Sequence, residues 1–150
     1  MTMNNPGEKH WTDTARARGF ELGSDGPSLL VVGLDGSDTS WRALYYAFGL
    51  ARRQGSTLVA VFSFTPIISG FGCPGVYYSG EELATELREA VLALGAENHV
   101  AAEFVATQRD PVAVLTELAA RRRADAIIMG CGRKATRTIR RSQCPVTVVP

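Results

Sequence analysis

The chain has 150 residues, 45% of them hydrophobic and 21% charged, with a net charge of +1. That size and balance predict one globular domain able to hold a core without disulfide or metal staples. Its apolar runs fall far short of the ~20 residues a bilayer span needs, and the polar N-terminus carries no apolar segment of signal-peptide type.

Residues 1–27 read as a flexible tail. Asn4-Asn5-Pro6-Gly7 and Gly23-Ser24-Asp25-Gly26-Pro27 are turn-rich and polar, and disorder fits them better than a short helix over 11–20. From residue 28 onward, strand and helix signals alternate. Leu29 to Leu34 is the continuous apolar run of a strand buried on both faces. Ser37 suits the N-cap of the next helix. Ala43, Leu44, Ala47, Phe48 and Ala51 recur at helical spacing, and Gly55 supplies a left-handed end. Thr57 to Phe62 is a second buried strand.

Residues 63–79 form a long loop rich in Gly, Pro and aromatics. Ser79 and Glu82 match a capping box. Leu83, Leu87, Val91 and Leu94 make the stripe of a second helix that Gly95 ends. His99 to Thr107 is a third strand. Asp110-Pro111 is an N-cap followed by a first-turn proline, and Val114, Leu115, Leu118 and Ala119 are the buried face of the helix it starts. Ala126 to Met129 is a fourth strand. A basic helix runs from Gly132 to about Arg141, with Ala135 and Ile139 toward the sheet. Pro145 to Val149 is the last strand.

Strand–helix alternation through five strands predicts an α/β fold, a parallel sheet with helices on both faces. Ligands bind such sheets at the carboxyl ends of the strands, where strand order reverses. The turns after Leu34 and Met129 are therefore the candidate functional edge. Asp35 there could accept hydrogen bonds from a sugar or base, although ordering its own turn explains it more simply. Gly130 and Gly132 would let a backbone approach a phosphate at a helix N-terminus. A lone G-x-G is weak, and no Walker loop or G-x-G-x-x-G is present.

Leu34-Asp35-Gly36-Ser37-x-x-Ser40-x-x-Ala43-Leu44, Ala124-Asp125-Ala126-Ile127-Ile128-Met129-Gly130 and Cys144-Pro145-Val146-Thr147-Val148-Val149 occur in that order. Taken together they resemble the universal stress protein family over residues 28–150. The resemblance implies a three-layer Rossmann-like αβα domain with sheet order 3-2-1-4-5. It also implies a cytoplasmic stress-response role and a homodimer paired through the last strand, 145–149. Nucleotide-binding members carry a G-x-x-G-x9-G-[ST] loop. By that resemblance Asp35 and Val61 would hold adenosine, Gly130 matches the first loop glycine, and Gly132-Arg133 stands where the closing Gly-[ST] falls. Here only Gly130-x-Gly132-Arg133 remains, about eleven residues shorter, which removes most of the N–H nest a triphosphate needs. The site Asp35, Val61, Gly130, Gly132 and Arg133 is thus expected to be vestigial, with weak or no ATP binding and no cofactor. ATP, AMP or a cyclic nucleotide is the alternative.

Arg133, Lys134, Arg137, Arg140 and Arg141 crowd one short helix. Anion or nucleic-acid binding there is a second alternative, but no aromatic lies among them to stack a base, so a solvated or dimer-facing helix is preferred. Residues 81–117 carry eight acids and two bases, and residues 119–150 carry one acid and eight bases. Such asymmetry fits either an anionic partner for the C-terminal part or two solvated faces that attract each other within a dimer. Cys73, Cys131 and Cys144 are odd in number and lack C-x-x-C spacing, against a disulfide framework or zinc site and in keeping with a reduced cytoplasm. Cys131 reads as a small buried apolar residue rather than a reactive thiol. His10 and His99 lie away from the functional edge, and no G-x-S-x-G or H-E-x-x-H is present. The reading is a non-enzyme, an adaptor with an unidentified protein partner and no membrane association.

Overall fold

A computed structural model describes residues 29–65 and 80–150. The expectations for the tail, for most of the apolar loop and for the Ser79 cap lie outside those residues. The described elements are β1 (Leu29–Leu34), α1 (Asp38–Gln54), β2 (Thr57–Ser63), α2 (Gly80–Asn98), β3 (Ala102–Thr107), α3 (Pro111–Arg122), β4 (Ala126–Gly130), α4 (Arg133–Arg141) and β5 (Val146–Val149). The five strands form one parallel sheet in the order β3-β2-β1-β4-β5. This is the expected α/β topology.

The apolar run of β1 is explained by its central place. Leu30, Val32 and Leu34 point into a core shared with Ala43, Leu44, Ala47 and Phe48 of α1 and Leu87 and Val91 of α2. Leu29 and Val31 point the other way, with Val59 and Val61, against Val114, Leu115 and Leu118 of α3. Alternate residues of one strand thus feed both layers. Each fully buried aliphatic side chain contributes about 1.5–3 kcal/mol, so β1 and β2 anchor the whole. Asp125 ties the start of β4 to β1: its carboxylate accepts from the Leu29 N–H at 2.7 Å, and its own N–H donates to the Leu29 carbonyl at 2.8 Å.

The caps follow the sequence signals. Ser37 caps α1, accepting from the Ser40 N–H. Asp110 caps α3, accepting from the Ala113 N–H at 3.0 Å, with Pro111 in the first turn. Gly55 closes α1 at φ 67°.

Three expectations need correction. Gly95 does not end α2; the helix runs to Asn98, and His99 takes the left-handed position at φ 55°. Gly95 is buried instead because β3 passes close by: a Cβ there would lie 2.8 Å from the Ala102 Cβ and 3.0 Å from the Val100 carbonyl. The turn through His99 delays β3 to Ala102. Ile139 does not face the sheet and is 54% exposed, whereas Thr138 is fully buried. Ala135 and Thr138 are three residues apart and form the docked face of α4, and the Thr138 hydroxyl is satisfied by donating to the Lys134 carbonyl at 2.9 Å. Cys131 is exposed rather than buried, since it sits in the short turn beyond the last core residue of β4.

The charge asymmetry is partly resolved within the chain. Arg122 pairs with Glu103 on β3 at 2.5 Å, and Arg137 of α4 reaches Asp110 at 3.4 Å. The Arg122 hydrogen bond holds the Glu103 carboxyl below its usual range, outweighing partial burial. Asp110 is also held low, first by the Ala113 N–H it accepts from and then by Arg137.

Candidate functional site

The sheet order reverses between β2-β1 and β4-β5, so the chain leaves the carboxyl ends of β1 and β4 toward opposite faces. A cleft of about 340 Å³ opens there, at the small end of the range for ligand sites.

One wall is the turn after β1. Gly36 takes φ 83°, which lets the chain reverse at once into α1. The Asp35 carboxylate accepts from the Ser37 N–H at 3.0 Å and from the Ser37 hydroxyl at 2.5 Å, both on Oδ1. The Ser40 hydroxyl donates to the Ser37 carbonyl at 2.9 Å and accepts from the Asp35 N–H at 3.4 Å. Partial burial works to raise the Asp35 pKa, but the Ser37 hydrogen bonds, Ser40 and the Lys134 charge together bring it below the usual carboxylate value.

The other wall is the β4–α4 connection, which consists of Cys131 and Gly132 alone. Gly132 is extended at φ 175° and precedes α4 without a side-chain cap. The Cys131 N–H donates to the Val149 carbonyl at 2.7 Å, so the turn is also held by the last strand. Gly130 packs directly on Thr39 of α1, whose hydroxyl donates to the Cys131 carbonyl at 3.4 Å. Lys134 of α4 spans the mouth, with its Nζ 3.8 Å from Asp35 Oδ2.

All five expected site residues line this one cleft: Asp35 and Gly130 at the strand ends, Val61 in the buried floor, Gly132 and Arg133 at the start of α4. Sequence reasoning left out Thr39, Ser40, Pro111 and Leu115. Helical spacing puts Ser40 and Leu115 on inward faces, but nothing local shows that two helices on opposite faces converge on one opening. His99 lies at the α2–β3 turn, away from the cleft. Among the described residues no cluster of His, Cys, Asp or Glu could hold a metal, and no helix is long and apolar enough to cross a membrane.

A doubly wound α/β domain with a cleft at its switch point belongs to the class of Rossmann-like folds. The universal stress protein family model matches residues 29–150, and the chain belongs to that family. Comparison with curated proteins gives no match. Among solved structures, a universal stress protein from Burkholderia pseudomallei is similar at 29% identity and TM-score 0.67, over 82% of this chain and 96% of that one. A protein from Archaeoglobus fulgidus, solved in complex with dAMP, is similar at 21% identity and TM-score 0.64, over 83% and 98%. An Arabidopsis thaliana protein with AMP bound is similar at 18% identity and TM-score 0.64, over 82% and 91%. The last two are similar in fold alone.

Proposed function

We propose that the chain is a non-catalytic, cytoplasmic stress-response binding protein whose nucleotide cleft is reduced, so that it binds ATP weakly or not at all and works chiefly as an adaptor. The observation that carries this reading is the two-residue β4–α4 connection, Cys131-Gly132. A triphosphate needs a concave set of backbone donors, and so short a turn offers few. Arg133 and Lys134 bring charge, but mobile exposed side chains are poor substitutes for preorganised donors. Thermal unfolding with millimolar ATP, AMP and cyclic AMP tests it. A ligand at a hundred times its dissociation constant adds about 2.7 kcal/mol, a rise of roughly 5–10 °C in a domain of this size. No rise with ATP is expected; a rise of that size would refute the reading.

A second reading, an adenine-nucleotide sensor, is favoured by one observation: the cleft survives, with Asp35, Val61 and Gly130 still lining it. In the same experiment a raised midpoint with ATP, AMP or cyclic AMP would favour this second reading. Nucleic-acid binding by α4 is set aside, because Lys134 and Arg137 already face Asp35 and Asp110. DNA binding that persists at physiological salt would reinstate it.

The adaptor is read as a homodimer through the outer edge of β5. Among the described residues β5 pairs only with β4, and its four residues are half-buried. Such an apolar edge is a template for a second strand. Sedimentation equilibrium showing a monomer at micromolar concentration would sink this part.

A further inference from the structure

β3 and β5 are the edges of the sheet, and among the described residues β3 pairs only with β2. The Leu58 N–H donates to the Ala101 carbonyl at 2.9 Å and the Phe64 N–H to the Thr107 carbonyl at 3.0 Å. In that parallel register Glu103, Val105 and Thr107 turn their backbone groups toward β2. Ala102, Phe104 and Ala106 turn theirs outward, a row of N–H and C=O groups on the far side of the strand. β3 holds no proline or lysine to repel a further strand, and its charge at Glu103 is tied to Arg122.

α2 overhangs this edge. Arg88 lies over the Phe104 ring, 5.4 Å from its centroid, which sets that side of the helix above β3. Leu92 is one turn further along the same side and is 45% exposed. Charge around it is acidic: Glu81 lies two turns before Arg88, Glu89 adjoins Leu92, and Arg88 is the single base of α2.

We propose that β3 is the docking edge of the adaptor, where an extended, basic segment of a partner protein adds a strand. An aliphatic side chain of that segment rests on Leu92, and its Lys or Arg side chains face Glu81 and Glu89. Main-chain hydrogen bonds supply the affinity and the alternate side chains the specificity. Such docking rests on the adaptor reading and gives its partner a chemical class. With β5 given to a second copy in that reading, β3 lies at each outer end of the shared sheet, where a different chain can reach it.

Selection of a random peptide library on the full chain tests it. The enriched peptides are then titrated against the wild type, Ala106→Pro and Leu92→Lys, with ligand-free thermal unfolding to confirm that each variant folds. Ala106→Pro removes an outward N–H and leaves the β2 ladder in place, and Leu92→Lys sets a positive charge against a basic segment. The enriched peptides are expected to be basic with alternating aliphatic residues. Each variant is expected to weaken them about five- to tenfold, the worth of one hydrogen bond or one aliphatic contact. Methylating alternate backbone nitrogens of a peptide, with its side chains unchanged, is expected to abolish binding to the wild type. Enriched peptides that bind both variants as tightly as the wild type would overturn the β3 edge while the adaptor reading stands. No enriched peptide would overturn both. Self-association of the wild type that Ala106→Pro removes, read by sedimentation equilibrium, would put a second copy on β3 and overturn the partner segment.

Discussion

Gly130 and Thr39 are in contact at the heart of the cleft: a Cβ on Gly130 would lie 2.6 Å from the Thr39 carbonyl carbon and 2.7 Å from its oxygen and hydroxyl. The glycine at the end of β4 is thus required by the first turn of α1, whatever the cleft binds. Its sequence signal, room for a phosphate, has a second cause in packing.

Gly130→Ala is accordingly expected to destabilise the protein by about 1–3 kcal/mol, because the obstructing atoms include backbone that cannot swing aside. Gly132→Ala is the control. Nothing lies within 4 Å of its added Cβ, and the change should cost about 0.5 kcal/mol, the loss of a glycine N-cap. Urea denaturation of both variants checks the contrast; equal effects would refute it.

Gly95→Ala pits two opposing effects. Alanine gains about 1 kcal/mol of helix propensity over glycine, but the new methyl meets the Ala102 Cβ at 2.8 Å and the Val100 carbonyl at 3.0 Å. Overpacking costs about 1–3 kcal/mol, so a net loss of up to 2 kcal/mol, roughly, is expected. A gain in urea midpoint would show that β3 yields.

Ile139→Lys should alter stability by less than about 0.5 kcal/mol, since the side chain lies mostly in water. Thr138→Asp, one residue earlier, would bury a carboxylate and cost roughly 3 kcal/mol or more. Thermal unfolding of the two distinguishes the observed docking of α4 from one that turns Ile139 inward.

Asp35, Glu103 and Asp110 are all held below their ordinary carboxyl values in the fold. Each therefore binds a proton more readily when the chain is unfolded. Their stabilisation is full above the unfolded pKa and is lost as pH falls through the folded one. Stability should accordingly decline below about pH 4–5. Asp35→Asn should flatten that decline in part, as read from urea midpoints between neutral and acid pH; an unchanged slope would exclude Asp35 as a contributor.

The cleft shows why some of the site was legible and some was not. Asp35, Gly36 and Ser37 are neighbours in sequence, and their hydrogen bonds are local, so a turn motif suffices to find them. Lys134 lies far along the chain from Asp35, and no local pattern sets their 3.8 Å separation. Gly95 looked like a helix stop because glycine suits that place, but it serves a contact with the following strand. Ile139 looked like core because it is apolar, yet the axial rotation of α4 is set by how Ala135 and Thr138 seat on the core.

The strand–helix alternation, the caps at Ser37 and Asp110 and the inward faces of α1 and α3 were determined by the sequence itself. Each depends on residues within one or two turns, where propensity and periodicity act directly. The pairing of Asp35 with Lys134, the closure of Thr39 on Gly130 and the burial of Thr138 were decided only in the tertiary structure. Each needs elements from separate parts of the chain brought to one edge of the sheet, and close packing, rather than local preference, sets which atoms meet there.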